Sequence, residues 1–293
     1  MQKRIAAIHD LSCLGKCSLS VVLPVLSALG AECVALPTAL LPAHFAALPG
    51  VEARPLTGEM EEILGAWIRG GVTFDGVFSG YLAGPEQCGL VLELAERTLP
   101  SGLLVVDPAM ADRGRLYHGY DHRHVEAMAA LCRRADVIVP NLTESALLLG
   151  EEPRLEGWTR PELEALLQRL GQLGPRRVAV TGVTLEAGKV AVACLDGTET
   201  AIFQQPLVPG HYNGAGDLFA SVLTGAMVQQ GQDFFSAVSL AMDFTGFVVA
   251  ATAQNPCHRP YGLDFEPCLP RLLEALRRDG RERSDSVDLR TGG

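Results

Sequence analysis

Apolar residues along this chain come in short unbroken runs, each closed by Gly, Pro or a polar side chain. These runs alternate with longer stretches in which apolar positions recur at helical spacing. The short runs Arg4–Ile8, Cys33–Leu36, Gly76–Ser79, Leu103–Asp107, Val137–Pro140 and Val178–Thr181 fit strands buried on both faces. Helical period marks Leu19–Leu29, Glu59–Ile68, Glu86–Thr98, His122–Arg133, Thr143–Leu149 and Pro161–Leu173. Strand and helix in strict alternation predict an α/β fold of three layers, a mostly parallel central sheet with helices on both faces. After Thr181 the pattern changes. Lys189–Leu195 and Thr200–Gln204, separated by Asp196 and Gly197, predict an antiparallel hairpin. Leu218–Gln229, Phe234–Thr252 and Leu269–Arg278 are the expected final helices, and 281–293 is a polar stretch expected to be a disordered tail behind a single domain over 1–280. The longest irregular connection is Leu36–Pro55, a length at which loops tend to be functional.

Composition narrows the classes. With 293 residues, 48% of them apolar, the chain can bury a sizeable core. A net charge of -10 without a Lys/Arg block argues against nucleic acid or an anionic membrane as partner. The N-terminal apolar stretch is too short for a secretory signal, and no unbroken apolar run has the length of a membrane span. Eight cysteines without a C-x-x-C pair are expected to be reduced thiols in a cytoplasmic protein.

Three segments carry candidate chemistry. Gly210-His211-Tyr212-Asn213-Gly214-Ala215-Gly216-Asp217 leads straight into an apolar helix, and a tight turn there brings free N–H groups to a helix N-terminus, where an anion is favoured. Asp217, at a helix start where a carboxylate is expected to keep a low pKa, can take a proton from a bound alcohol. The same residues also make an ordinary glycine turn with Asp217 as a helix cap. In the second segment, Asn141 and Glu144 follow a buried strand at the sheet's carboxyl edge, where ligands and Mg²⁺ bind in open α/β folds. Asn followed three positions on by Glu is equally a capping box. In the third, Asp107-Pro108 ends an apolar strand at the same edge. Together Asp107, Glu144 and Asp217 fall at equivalent strand-to-helix junctions, as one Mg-nucleotide site requires.

Asp10–Ser18 fails the P-loop pattern, with Asp10 in place of the first glycine and Cys17 in place of the hydroxyl residue. No G-x-G-x-x-G follows the first strand. Lys16 is then expected to be a solvated or loosely substrate-facing amine. Cys13 and Cys17 have no nearby partners to complete a zinc set. His9, His44 and His211 lie near candidate loops, where a lone histidine is more often packing than chemistry.

Asn213-Gly214-Ala215-Gly216-Asp217, Asn141-x-x-Glu144 and Asp107-Pro108-Ala109-Met110, in their order along nearly the whole chain, resemble the ribokinase-like superfamily. Ser79-Gly80-Tyr81-Leu82 with Glu86-Gln87 makes the chain similar to its pyridoxal kinase branch. The resemblance implies a homodimer that uses ATP and Mg²⁺, often with K⁺, to phosphorylate the 5′-hydroxymethyl group of pyridoxal, pyridoxamine or pyridoxine. By position it implies Asp217 as general base and Gly214, Ala215 and Gly216 as an anion hole. Asp107 and Glu144 would organise the metal beside Asn141, with Thr181 near the phosphates and Val208 near the nucleoside. Tyr81, Thr38 and His44 would line the pocket of the pyridine ring.

The chain departs from the branch at several positions. Asp10 stands where a serine usually contacts the ring, with Ser12 close by. Phe45-Ala46 replaces a Thr-Gln pair, Thr181 stands where several members carry Lys, and Ala215 where Thr or Val is common. Two rivals remain at this stage. One is a hydroxymethylpyrimidine kinase, whose usual opening glycine-rich segment is absent at Asp10–Ser18. The other is a ligand-binding protein on a degenerate kinase fold, which would not need a base at an anion hole.

Overall fold

The computed structural model describes residues 1–276. Its first-half elements are β1 (Arg4–Ser12), α1 (Leu19–Ala28), β2 (Glu32–Leu41), β3 (Arg54–Pro55), α2 (Thr57–Arg69), β4 (Gly76–Ser79), α3 (Pro85–Thr98) and β5 (Leu103–Val106). A two-residue pair, β6 (Ala111–Asp112) and β7 (Arg115–Leu116), leads to α4 (His122–Cys132), β8 (Val137–Ile138), α5 (Leu142–Leu148) and α6 (Arg160–Gly171). Then come β9 (Arg177–Val183), β10 (Lys189–Asp196), β11 (Glu199–Pro206), α7 (Ala215–Val228) and α8 (Phe234–Gln254). Positions 269–276 are helical, and the remainder of the helix expected to end at Arg278, like the expected tail at 281–293, lies outside the described residues.

The strands form a nine-stranded sheet in the order β11-β10-β9-β8-β5-β4-β1-β2-β3. It is parallel from β9 across to β2, with the hairpin partners β10 and β11 antiparallel at one edge and β3 antiparallel at the other. Each face is covered by its own apolar cluster. One gathers Leu19, Val25, Leu218, Leu223, Ala237 and Phe265, and the other Met60, Leu94, Val125, Met128, Leu163 and Leu167. Strands flanked on both faces have no use for alternation, which explains their continuous apolar runs.

Three expectations are corrected. First, the strand expected at Cys33–Leu36 continues to Leu41, so the first part of the supposed loop Leu36–Pro55 is sheet. Pro37 is tolerated because β3 pairs only with Ala39 and Leu40, leaving no ladder for its missing N–H to interrupt. Second, the first strand runs on to Ser12 through an irregularity between His9 and Leu11, which carries Asp10 and Ser12 to the carboxyl edge. Third, α8 is 21 residues long and apolar enough by length and composition to cross a membrane. Ser, Thr and Asp243 break its apolar run in sequence. In the fold, Ala237, Ala241, Phe244 and Val248 face the core, and the Arg271 guanidinium lies 4.1 Å over the Phe247 ring.

Candidate active site

The carboxyl ends of β1, β5, β8 and β9 open into one cleft of about 870 Å³. Open parallel sheets bind ligands at this edge because crossover connections leave it uncovered. Asp10, Ser12, His44, Tyr81, Asp107, Asn141, Glu144, Thr181, Val208 and the turn 214–217 all line it. Thr38 does not. Fully buried on β2, its hydroxyl donates to the Tyr81 carbonyl at 2.8 Å while its own carbonyl accepts from Gln87 Nε2 at 2.8 Å. Its part is to fix the backbone of Tyr81 from behind.

The glycine turn is built by close packing. Gly214 caps α7 with φ 80°, a left-handed conformation, and a Cβ there would lie 2.3 Å from the Lys16 carbonyl oxygen. Ala215, Gly216 and Asp217 form the first turn of a 14-residue helix, so their N–H groups have no carbonyl one turn earlier within it. Asn213 Nδ2 donates to the Pro260 carbonyl at 2.7 Å, tying the turn to the segment after α8. Lys16 belongs to the same assembly. Its ammonium pairs with Asp264 at 3.1 Å and Glu266 at 3.0 Å, so the solvated or substrate-facing amine expected from sequence is a structural tether.

Electrostatically the cleft is loaded with acids. Asp217 was expected to hold a low pKa, yet burial pushes it up to about 7, and the neighbouring Asp10 adds to the rise against a hydrogen bond from the Ser18 backbone N–H. Nor does its side chain cap α7, whose cap is Gly214. Burial and the nearby Asp217 raise Asp107 to about 8. Glu144, 2% exposed, is raised by burial and by Asp107, even though its oxygens accept from the N–H groups of Asn141 at 2.8 Å and Met110 at 3.3 Å.

The capping box at Asn141 and Glu144 is therefore real: Asn141 Oδ1 accepts from Thr143 and Glu144 while Glu144 reaches back to Asn141. Glu144 also holds the start of the β6–β7 pair, which leaves its oxygens largely occupied. No protein donor reaches the Asp107 carboxylate oxygens among the described residues. A hard carboxylate without a partner, repelled by a second one, suits Mg²⁺. Among the described residues no three Asp, Glu, His or Cys side chains converge to hold a metal unaided. The donor set, Asp107 with Glu144 beside it, thus fits a cation that also takes oxygens from a bound phosphate.

At the other end of the cleft Asp10 is 5% exposed, accepts from Ser12 Oγ at 3.1 Å, and has its pKa raised by burial against hydrogen bonds from Ser18 and Ser12. The Tyr81 ring stands 5.7 Å from that of Tyr120. His44, with Nδ1 accepting from the Ala46 N–H at 3.1 Å, is lowered in pKa by burial and then by His211. His9 points away from the cleft, fully buried against Phe78 with ring centroids 4.5 Å apart. All eight cysteines are free thiols. Sequence reasoning passed over Arg113, Tyr117, Gln205, Met242 and Thr245, which also line the cleft. Arg113 and Tyr117 lie in and just after a pair of two-residue strands too short to show a period, Gln205 is on the edge strand β11, and Met242 and Thr245 are on α8, whose apolar pattern masked them.

Comparison with known proteins agrees with this architecture. The sequence model of the phosphomethylpyrimidine kinase family matches residues 26–259. A Bacteroides thetaiotaomicron crystal structure assigned to the phosphomethylpyrimidine kinases superposes with a TM-score of 0.88 at 37% identity, covering 92% of this chain and 94% of that one. A second crystal form of that protein, with pyridoxal, gives a TM-score of 0.87, covering 93% and 96%. Pyridoxal kinase from Lactobacillus plantarum superposes with a TM-score of 0.86 at 32% identity, covering 94% and 98%. Among curated sequences, pyridoxal kinase PdxY of Deinococcus radiodurans is 28% identical over 165 residues, 54% of this chain and 55% of that protein, so the match spans about half of that relative. The chain belongs to the phosphomethylpyrimidine kinase family, on the ribokinase-like fold, in the branch that includes the pyridoxal kinases.

Proposed function

We propose that this protein is an ATP-dependent kinase that phosphorylates the 5′-hydroxymethyl group of a B6 vitamer, pyridoxal, pyridoxamine or pyridoxine. The observation that carries the reading is the cleft itself. A carboxylate poised near neutrality, Asp217, stands in the first turn of a helix whose N-terminal N–H groups have no partner within the helix, in a cavity wide enough for a nucleotide and a small heterocycle side by side.

The vitamer end is Asp10, Ser12, His44 and Tyr81. The nucleoside end is Val208 with the apolar wall of β10 and α8, and the phosphates run between them past Thr181 and Asn141. Asp217 accepts the proton of the hydroxymethyl group as its oxygen attacks the γ-phosphorus. An O–P bond forms, the bond to the β-γ bridging oxygen breaks, and ADP leaves. The N–H groups of Gly214, Ala215 and Gly216 lie where charge develops on the phosphoryl oxygens. Asp107, with Glu144 beside it, would hold Mg²⁺, which would supply charge neutralisation for the triphosphate. The reading includes a homodimer in the cytoplasm.

The test is ADP release by the purified protein, with and without K⁺, offered pyridoxal, pyridoxine, pyridoxamine and 4-amino-5-hydroxymethyl-2-methylpyrimidine. Turnover with the vitamers supports the reading. Preference for the pyrimidine, which the family model favours as a second reading, would move the assignment. Nucleotide binding without ADP release on any alcohol would mark a binding protein. Asp217→Asn should lose about 10²–10⁴-fold in kcat while still binding ATP.

A further inference from the structure

The cleft is rich in acids and poor in cations. Asp10, Asp107, Asp112, Glu144 and Asp217 line it, and among the described residues Arg113 is the one Lys or Arg that does. A triphosphate adds several more negative charges to this set, and Thr181 contributes none of the positive charge that a lysine there would.

Arg113 sits in the tight turn joining β6 to β7 at φ 50°, a conformation bulky residues rarely adopt. The turn is held at both ends: the Gly114 N–H donates to Thr143 Oγ1 at 2.9 Å and the Arg113 N–H to Asp112 Oδ1 at 2.8 Å. From this anchored backbone the side chain crosses the cleft mouth, and Nη2 donates to Nδ1 of His211, just ahead of the anion turn. A guanidinium only donates, so Nδ1 of His211 is the acceptor in this contact. The Asp112 carboxylate is 3.8 Å from Nε, too far for a hydrogen bond. A full positive charge at the mouth of an anion site thus has an imidazole nitrogen as its closest partner, with the Asp112 carboxylate at the edge of ion-pair range.

Resting on the kinase reading above, we propose that Arg113 is the cationic contact for the terminal phosphate of the nucleotide, leaving His211 for the phosphate oxygens when the triphosphate binds. His211 is the positioning residue that holds the guanidinium over the 210–214 turn beforehand. The planar fork of arginine matches two phosphate oxygens at once, and because the γ-phosphoryl group gains charge separation in transfer, the contact acts on rate as well as binding.

Calorimetric titration with ADP and with the triphosphate analogue AMP-PNP tests this on the wild type, Arg113→Met, Arg113→Lys and His211→Gln. Arg113→Met should weaken AMP-PNP binding by about tenfold or more with ADP within about twofold, and lower kcat on pyridoxal by about 10²-fold or more. Arg113→Lys should recover part of both losses, since it keeps the charge without the fork. His211→Gln should raise KM for ATP severalfold with kcat little changed. Arg113→Met with the wild-type ratio of AMP-PNP to ADP affinity, or with kcat within about twofold of wild type, overturns the proposal. If the wild type releases no ADP with any alcohol, the kinase reading fails, while the two affinities still decide the role of Arg113. Both side chains are exposed, so thermal melts should confirm that each variant folds.

Discussion

The backbone N–H of Ser18 faces the carboxyl of Asp217 and lowers its pKa against the rise from burial, and Ser18 holds that place at φ 49° and ψ -131°. A non-glycine residue held in that region costs roughly 1 kcal/mol or more, so surrounding contacts must enforce it. The enforced bend connects the end of β1 to the first turn of α7. One strained residue just ahead of α1 thereby stands against the carboxylate assigned as base.

The raised pKa of Asp217 gives a pH dependence of definite sign. A base must be ionised, so kcat/KM should fall as pH drops below about 7. For stability the sign is opposite. A carboxyl raised in the fold contributes stability below its unfolded value, and that contribution is lost as pH rises through about 7. Asp217→Asn should therefore lose turnover yet gain roughly 1–2 kcal/mol at pH 8, less than full burial would give because the cleft is open to solvent. Denaturant melts at pH 5 and pH 8 check this, and an equal effect at both would contradict it.

Gly214→Ala places a methyl group 2.3 Å from the Lys16 carbonyl on a backbone with φ 80°. Strain of about 1–2 kcal/mol comes from the dihedral alone, and the clash must move either the turn or the β1–α1 loop. Turnover should drop at least tenfold. Gly216→Ala, with open space around its Cβ, is the control expected to keep its fold.

His9 is buried with neither ring nitrogen hydrogen-bonded, and burial lowers its pKa to about 3. The unfolded chain takes up its proton near pH 6.5 while the fold does not, so its contribution to stability is present above that value and is lost between about 6.5 and 3. His9→Leu should make acid unfolding shallower, with a gain of about 1–3 kcal/mol relative to wild type at pH 4 over that at pH 7. Parallel acid-denaturation curves for the two proteins would refute this.

Asp107 and Glu144 should separate under mutation. With free oxygens, Asp107→Asn should raise the Mg²⁺ concentration needed for half-maximal rate severalfold with little loss of stability. Glu144→Gln puts an amide donor where backbone N–H groups need an acceptor, and should cost about 1–3 kcal/mol in a thermal melt.

Much of the fold was legible because strands covered on both faces write themselves as unbroken apolar runs, and their carboxyl ends were marked by Asp107, Asn141 and the 210–217 turn. The extension of β2 was hidden by Pro37, whose local signal ends a strand unless its neighbour is known to be absent. Thr38 was drawn to the pocket by resemblance, but on β2 its side chain faces Tyr81 from the protein side. The raised pKa of Asp217 was invisible because it comes first from burial in the folded cleft and then from Asp10, remote in sequence. Arg113 was missed because two-residue strands carry no periodicity, and only the crossing to His211 distinguishes it from any surface arginine.

Lys16 ties two distant stretches together: its carbonyl closes on Gly214, while its backbone pairs with position 262 and its ammonium is held by Asp264 and Glu266 in the same segment. The segment following α8 therefore acts as a buckle on the 210–217 turn. A single protease cut in that strap should silence the enzyme long before the sheet melts, making the C-terminal flank its point of vulnerability in a cell.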